Sequence, residues 1–201
     1  IMHQIRMIAW GLILVVVAFL TYSWFFPENN PVAKIADDVR PFSLVNNKGE
    51  RVTHEDFAGK YMLIFFGYSY CPDVCPTELS KVTLALELLE AQGHSIDNLQ
   101  PLFITIDPER DTVQQLSDYM GLFHPKYIGL TGTAEEIAEV AKTYQIYYKK
   151  SDINDTSDTY LMDHMSLLFL LDGTARRMHM FAASTTPDEL VDALKTLTDE
   201  K

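Results

Sequence analysis

Tyr61-Met62-Leu63-Ile64-Phe65-Phe66-Gly67-Tyr68-Ser69-Tyr70-Cys71-Pro72-Asp73-Val74-Cys75-Pro76 joins an apolar strand, a pair of thiols and a helix start. Residues 61–68 are apolar without alternation, the pattern of a strand covered on both faces. Proline is excluded from a helix interior but favoured at its first position. Pro76 therefore predicts a helix that opens there, with Cys75 as its cap and Cys71 to Cys75 as a bent loop. Thr77 to Gln92 continues that helix and places Leu79, Val82, Leu86 and Leu89 on one face. Amides at a helix start carry partial positive charge, so they lower a neighbouring thiol's pKa and favour thiolate. Cys71 and Cys75 are the only cysteines among 201 residues.

Downstream, Leu102 to Asp107 reads as a second buried strand, and Thr112 with Gln115 as the capping box of a helix. Tyr127 to Leu130 is a short strand. Thr133 with Glu136 caps a helix to about Tyr144. Tyr160 to Leu171 contains a strand that ends at the turn Asp172-Gly173 and pairs with Arg176 to Phe181. Thr186, Pro187 and Glu189 open a last helix. Upstream, Asn46 to Glu50 is a hairpin turn between Pro41–Val45 and Arg51–Thr53, and Thr53 with Asp56 caps a short helix. Apolar strands alternating with helices predict an α/β domain. The expected fold is thioredoxin-like: a mostly parallel central sheet flanked by helices, with an N-terminal hairpin and a closing antiparallel one.

Residues 1–26 differ in kind. Met7 to Phe26 is twenty residues without a charge, long enough to cross a hydrocarbon core of about 30 Å. Arg6 precedes the run and Glu28 follows it, so the amino end is expected inside and the rest outside. The end Tyr22-Ser23-Trp24-Phe25-Phe26-Pro27 makes a poor signal-peptide cleavage site. The expected organisation is a membrane anchor over 1–26, a linker over 27–38 and a globular domain over 39–201. Such a chain sits in the inner membrane by one pass, with its domain on the periplasmic or extracytoplasmic side. A net charge of −12 argues against nucleic acid, whose phosphates need a basic partner.

The thiols admit two readings. A redox-active pair can form a disulfide, although so small a loop would restrict the unfolded chain very little. Two thiolates can also ligate a soft metal, and His164, after Asp163 and before an apolar strand, can supply a third donor. His164 reads equally well as a core histidine bonded to the backbone. Two thiolates with one imidazole suit Cu(I), whereas structural zinc wants four ligands. Asp163 either orients that imidazole or faces solvent. Met162 and Met165 flank His164 and read as packing before ligation. Asp107 is expected to begin a turn that Arg110 and Asp111 support. His54, His94, His124 and His179 have no cysteine or acidic residue at useful sequence spacing and are expected to be ordinary surface or core residues.

Tyr70-Cys71-Pro72-Asp73-Val74-Cys75-Pro76, Asp107-Pro108-Glu109-Arg110-Asp111-Thr112 and Asp163-His164 together resemble the Sco/SenC family. The resemblance runs from about Asp38 to the end. It implies a thioredoxin-like fold, copper as cofactor in Cu(I) and also Cu(II) form, and Cys71, Cys75 and His164 as ligands. It further implies a role in assembling the copper centre of cytochrome c oxidase. The expected partners are the copper-accepting oxidase subunit, a copper donor protein and a thiol reductase that keeps both cysteines reduced. The rival function is a thiol-disulfide reductase using the same pair. A thiol peroxidase would need a basic partner for one cysteine.

Overall fold

The computed structural model describes residues 39–151 and 160–198, together with Arg6 and Trp10. The chain divides into two units, Ile1–Ala36 and Asp37–Lys201, and the elements below belong to the second. The expected anchor and linker lie outside the described residues, Arg6 and Trp10 apart. Among the described residues no helix is long and apolar enough to cross a membrane.

Among the described residues, nine strands and four helices follow in order. They are β1 (Ser43–Asn46), β2 (Arg51–Thr53), β3 (Tyr61–Gly67), α1 (Val74–Ala91), β4 (Leu99–Thr105), α2 (Val113–Met120), β5 (Ile128–Thr131), α3 (Ala134–Tyr144), β6 (Tyr148–Lys150), β7 (Met162–His164), β8 (Leu167–Leu171), β9 (Arg177–Ala182) and α4 (Pro187–Thr198). A single 3-10 turn, His54–Phe57, carries the capping box expected of Thr53 and Asp56.

Seven strands form one sheet in the order β2-β1-β5-β4-β3-β8-β9. Its centre is parallel, with Phe65 opposite Phe103 across β3 and β4, and β4 paired in parallel with β5. The flanks are antiparallel: β8 on β3, β9 on β8, β1 on β5 and β2 on β1. The sheet is therefore mixed, and the expectation of a mostly parallel one holds only for its three central strands. Connection length sets the direction between consecutive strands. Parallel neighbours need a crossover, which α1 and α2 provide, whereas the tight turns at Asn46–Glu50 and Asp172–Arg176 can only reverse the chain.

Every residue of β4, and all of β3 after Tyr61, is buried. Successive strand residues face opposite sides, so both faces of this centre are covered. Phe65, Phe66, Phe103 and Phe169 are each no more than 1% exposed; burial of one such ring contributes about 1.5–3 kcal/mol. α1 packs against α4, α2 against β5 and α3 against β1. Leu79, Val82, Leu86 and Leu89 are all buried, as their spacing requires.

Three local differences bear on the site. α1 begins at Val74 with Asp73 at its cap, so Cys75 is the second helical residue and Pro76 the third. Proline is tolerated there because first-turn amides have no intrahelical acceptor. At α2, Thr112 accepts from the Gln115 amide as expected, but the Gln115 side chain donates instead to Ser69 Oγ at 3.0 Å. Finally, the strand expected within Tyr160–Leu171 breaks at Met165 and Ser166. β7 leaves the sheet to pair with β6, with His164 opposite Tyr148.

Gly67 ends β3 where α1 approaches. A Cβ there would stand 2.8 Å from Cys75 Sγ and 3.0 Å from ring atoms of both Phe103 and Phe65. Gly67→Ala is expected to destabilise the metal-free protein by about 1–3 kcal/mol, the usual range for overpacking a filled core. Chemical denaturation checks this, and an unchanged midpoint would show that the thiol has room to yield.

Candidate metal centre

The site is assembled at the end of β3 from three segments. The first is the loop Tyr68 to Asp73. The Ser69 amide donates to Asp111 Oδ2 at 3.0 Å, and the Ser69 hydroxyl donates to Asp111 Oδ1 at 2.5 Å. Thr105, at the end of β4, donates its hydroxyl to the same carboxylate at 2.6 Å. Asp111 is fully buried. Burial raises its carboxyl pKa, against the lowering effect of the Ser69 and Thr105 donors. A buried polar group is costly unless it is bonded, so this carboxylate ties the start of the thiol loop to the neighbouring strand.

The second segment is the first turn of α1. The Cys71 amide donates to the Tyr68 carbonyl at 3.2 Å, which closes the loop. The Cys75 amide, free of any intrahelical acceptor, points at Cys71 Sγ from 3.4 Å. Cys75 is fully buried beside Gly67, while Cys71 is half-buried. Both are free thiols.

The third segment is β7. His164 Nε2 lies 3.5 Å from Cys75 Sγ. Its Nδ1 lies 3.2 Å from the Met165 carbonyl oxygen. A carbonyl only accepts, so Nδ1 carries the proton and the Nε2 lone pair is left for the thiols. Edge-on rings of Phe65 and Tyr68, with centroids 6.3 and 6.0 Å away, hold the imidazole plane. The two sulfurs and an imidazole nitrogen all lie within 4.8 Å of one another. This is the one such cluster of His, Cys, Asp and Glu among the described residues.

The two thiols differ electrostatically. A hydrogen bond from Cys75 holds the Cys71 pKa well below the ordinary thiol range, helped by the backbone amides of Cys75 and Asp73, against desolvation. The Cys75 pKa is pushed up, first by its bond to Cys71 and then by burial. Without metal, the pair is a half-exposed thiolate supported by a buried thiol. Thiolate is the form of cysteine that attacks a disulfide and that can ligate a soft ion. The buried thiol must lose its proton for a metal to be held by both sulfurs.

The donor set fits a thiophilic ion of low coordination number, because two sulfurs and one nitrogen converge without a fourth His, Cys, Asp or Glu ligand among the described residues. Of the other residues singled out by sequence, Asp163 is exposed. Alternation along β7 turns it away from His164, and the Met165 carbonyl orients the imidazole instead. Met162 is packed in the core at 8% exposure. Met165 is exposed and touches His164 through its carbonyl. Asp107 does begin the expected turn, its carbonyl accepting from the Asp111 amide at 2.9 Å. Sequence reasoning missed the hold of Asp111 on Ser69 and the part played by Tyr160, whose hydroxyl donates to Asp107 at 2.7 Å. The available signal was the density of charge in Asp107 to Asp111 directly after a buried strand.

Comparison with known proteins agrees with this geometry. The SCO1/SenC family profile matches residues 32–199. The protein SCO1 homolog 1, mitochondrial, of Arabidopsis thaliana is 40% identical over 154 residues, which make up 77% of this chain and 45% of that protein. The SCO1 homolog, mitochondrial, of Homo sapiens is 38% identical over 156 residues, 78% of this chain and 51% of that protein. The chain thus spans about half the length of these curated relatives. The copper-bound crystal structure of Arabidopsis thaliana ScoI superposes with a TM-score of 0.71 at 40% identity, covering 78% of this chain and 94% of that one. Copper-bound Bradyrhizobium japonicum ScoI gives 0.69 at 39% identity, covering 78% and 96%. Strand order, thiol loop, distant histidine and sequence all lead to the same assignment: this chain is a member of the SCO1/SenC family, with its thioredoxin-like α/β fold.

Proposed function

We propose that this chain is a copper metallochaperone that carries one copper ion on Cys71 Sγ, Cys75 Sγ and His164 Nε2 and supplies it to the copper centre of cytochrome c oxidase during assembly. The observation that carries this reading is the convergence of those three atoms within 4.8 Å, in a family that includes relatives solved with copper bound. Two thiolates with Cu(I) leave one negative charge and with Cu(II) none, so the same ligands suit both oxidation states. Half-exposed Cys71 is the natural point of exchange: a partner thiolate can approach there while Cys75 and His164 still hold the ion. The partners are then a copper donor, the oxidase subunit that accepts copper, and a thiol reductase, since a disulfide offers no thiolate. The uncharged run 7–26 behind Arg6 supports an anchor over 1–26, a linker over 27–38 and a domain over 39–201 on the periplasmic face of an inner membrane.

The thiolate character of Cys71 favours a second activity, reduction of a partner's disulfide. The Cys71 thiolate attacks one sulfur of that disulfide, and the other leaves as a thiolate. Cys75 gives its proton to the partner thiolate released in the first step and attacks the Cys71 sulfur of the mixed disulfide. The products are a Cys71–Cys75 disulfide and a fully reduced partner, two electrons having passed to it. A separate thiol reductase restores the pair.

The full chain in detergent, reduced and anaerobic, is expected to take up one Cu(I) against a competing chelator. Cys71→Ala and Cys75→Ala abolish competitive binding, and His164→Ala weakens it by about tenfold or more while leaving disulfide exchange in place. Wild-type protein that cannot compete with the chelator would defeat the chaperone reading and leave the reductase. The pKa asymmetry gives a second test. A thiol whose pKa is depressed by folding keeps its charge as pH falls through the ordinary range, so alkylation of Cys71 in the metal-free protein should follow a constant thiolate fraction from about pH 8 to about pH 6. Cys75 should stay unreacted over the same range. An inflection for Cys71 near the usual thiol pKa of about 8.5 would contradict the asymmetry.

A further inference from the structure

β7 needs support that its own pairing does not give. It is three residues long, pairs with β6 alone and stands outside the seven-stranded sheet. A two-stranded ribbon is marginal by itself. Yet the last residue of β7, His164, must meet a sulfur that belongs to α1. Something outside the ribbon has to fix it.

Arg110 occupies that position. It follows β4 in the charged run Asp107 to Asp111, and its side chain is 14% exposed. Its Nε donates to Asp107 Oδ2 at 2.5 Å, and its Nη1 donates to the Tyr160 carbonyl oxygen at 2.9 Å, four residues before His164. The other oxygen of Asp107 accepts from the Tyr160 hydroxyl at 2.7 Å. The guanidinium carbon lies 3.6 Å from the ring centre of Tyr160, 4.9 Å from that of Tyr70 and 5.7 Å from that of Tyr68. A planar cation among aromatic faces is attracted to each of them.

Tyr68 carries the contact on to the site. Its hydroxyl accepts from the Met162 amide in β7 at 3.2 Å, and its ring stands edge-on to His164 at 84°. Arg110 thus holds the entry to β7 through a backbone carbonyl and braces the ring on which the imidazole rests. Its sequence neighbour Asp111 binds Ser69 at the base of the thiol loop. Two adjacent residues therefore grip the two halves of the site, one each.

We propose that Arg110 is a positioning residue for the three-ligand centre, fixing His164 against the thiols by holding the Tyr160 carbonyl and the Tyr68 ring together. The proposal rests on His164 being a ligand. Lysine cannot replace arginine in this role, because a point ammonium lacks the planar fork that reaches Asp107 and Tyr160 while stacking on the rings.

The test uses the full chain in detergent with Cu(I) as the probe, comparing wild type, Arg110→Gln, Arg110→Lys, His164→Ala and Arg110→Gln with His164→Ala. Arg110→Gln is expected to weaken copper binding by about tenfold, as loss of a group that orients a ligand does. Arg110→Lys should recover little of this. In the His164→Ala background, Arg110→Gln should change affinity by less than about twofold, since the ligand it positions is gone. The metal-free protein gives an independent readout: in Arg110→Gln, the His164 ring resonances shift and the Met162 amide exchanges faster, while the Ser69 amide stays protected. Should Arg110→Gln fail to fold, Arg110→Lys, which keeps a cation beside Asp107, carries the same comparisons. Wild-type copper affinity in the variant that folds, or an equal loss with and without His164, would overturn the proposal. If wild-type protein held no copper, the chaperone reading would fall, and the metal-free resonances and exchange rates would still decide whether Arg110 positions His164.

Discussion

The antiparallel pairing of β8 with β3 is the contact on which the site depends. β3 delivers the thiol loop at its carboxyl end, and β8 begins beside that same end, with Phe65 opposite Leu168. The residues just before β8 therefore arrive where the thiols stand, although His164 and Cys75 are 89 positions apart in sequence. A parallel β8 would carry its preceding residues to the other edge of the sheet. Packing along β3, β4 and β8 fixes this register, because a one-residue slip would take the Phe169 ring away from Phe66 and Tyr144, which it meets edge-on. The core thus sets the distance between sulfur and nitrogen without any metal present.

Within that frame the local chemistry is divided unequally. Cys75 is buried against Gly67, and its bond to Cys71 and its burial push its pKa up, whereas half-buried Cys71 has its pKa held low by that same bond. A symmetrical pair of thiolates would repel one another; a thiol hydrogen-bonded to a thiolate does not. The arrangement favours negative charge on the half-buried sulfur and a proton on the buried one. The imidazole, with Nδ1 engaged by the Met165 carbonyl, offers its lone pair on the same side.

Much of this was legible in the sequence because it is written in local periodicity and in the positions of prolines. The apolar run 61–68, the Leu79/Val82/Leu86/Leu89 stripe and the capping pairs Thr133/Glu136 and Thr186/Glu189 each specify an element from residues a few positions apart. Cys71 and Cys75 stand out as the only cysteines, whereas His164, one of six histidines, is singled out as a ligand by the family resemblance that Asp163-His164 helps to carry. What was not legible depends on long-range contacts. The direction of the flanking strands follows from which edges pair, so a mostly parallel sheet was expected where a mixed one formed. The departure of β7 to β6 rests on contacts with Tyr147 and Tyr68, far off in sequence. Asp163 seemed as suited as any neighbour to orient the imidazole until strand alternation turned it outward. Asp111 and Arg110 read as turn residues, and only the fold reveals that each reaches a different half of the site.

The central claim is that two sulfurs and one imidazole nitrogen make the whole first shell of a bound copper ion. X-ray absorption at the copper edge of the anaerobically loaded full chain tests it most directly. The account predicts scattering from two sulfurs together with the outer-shell pattern of one imidazole, the latter lost in His164→Ala. A shell of sulfurs alone, or one unchanged when His164 is replaced, would contradict it.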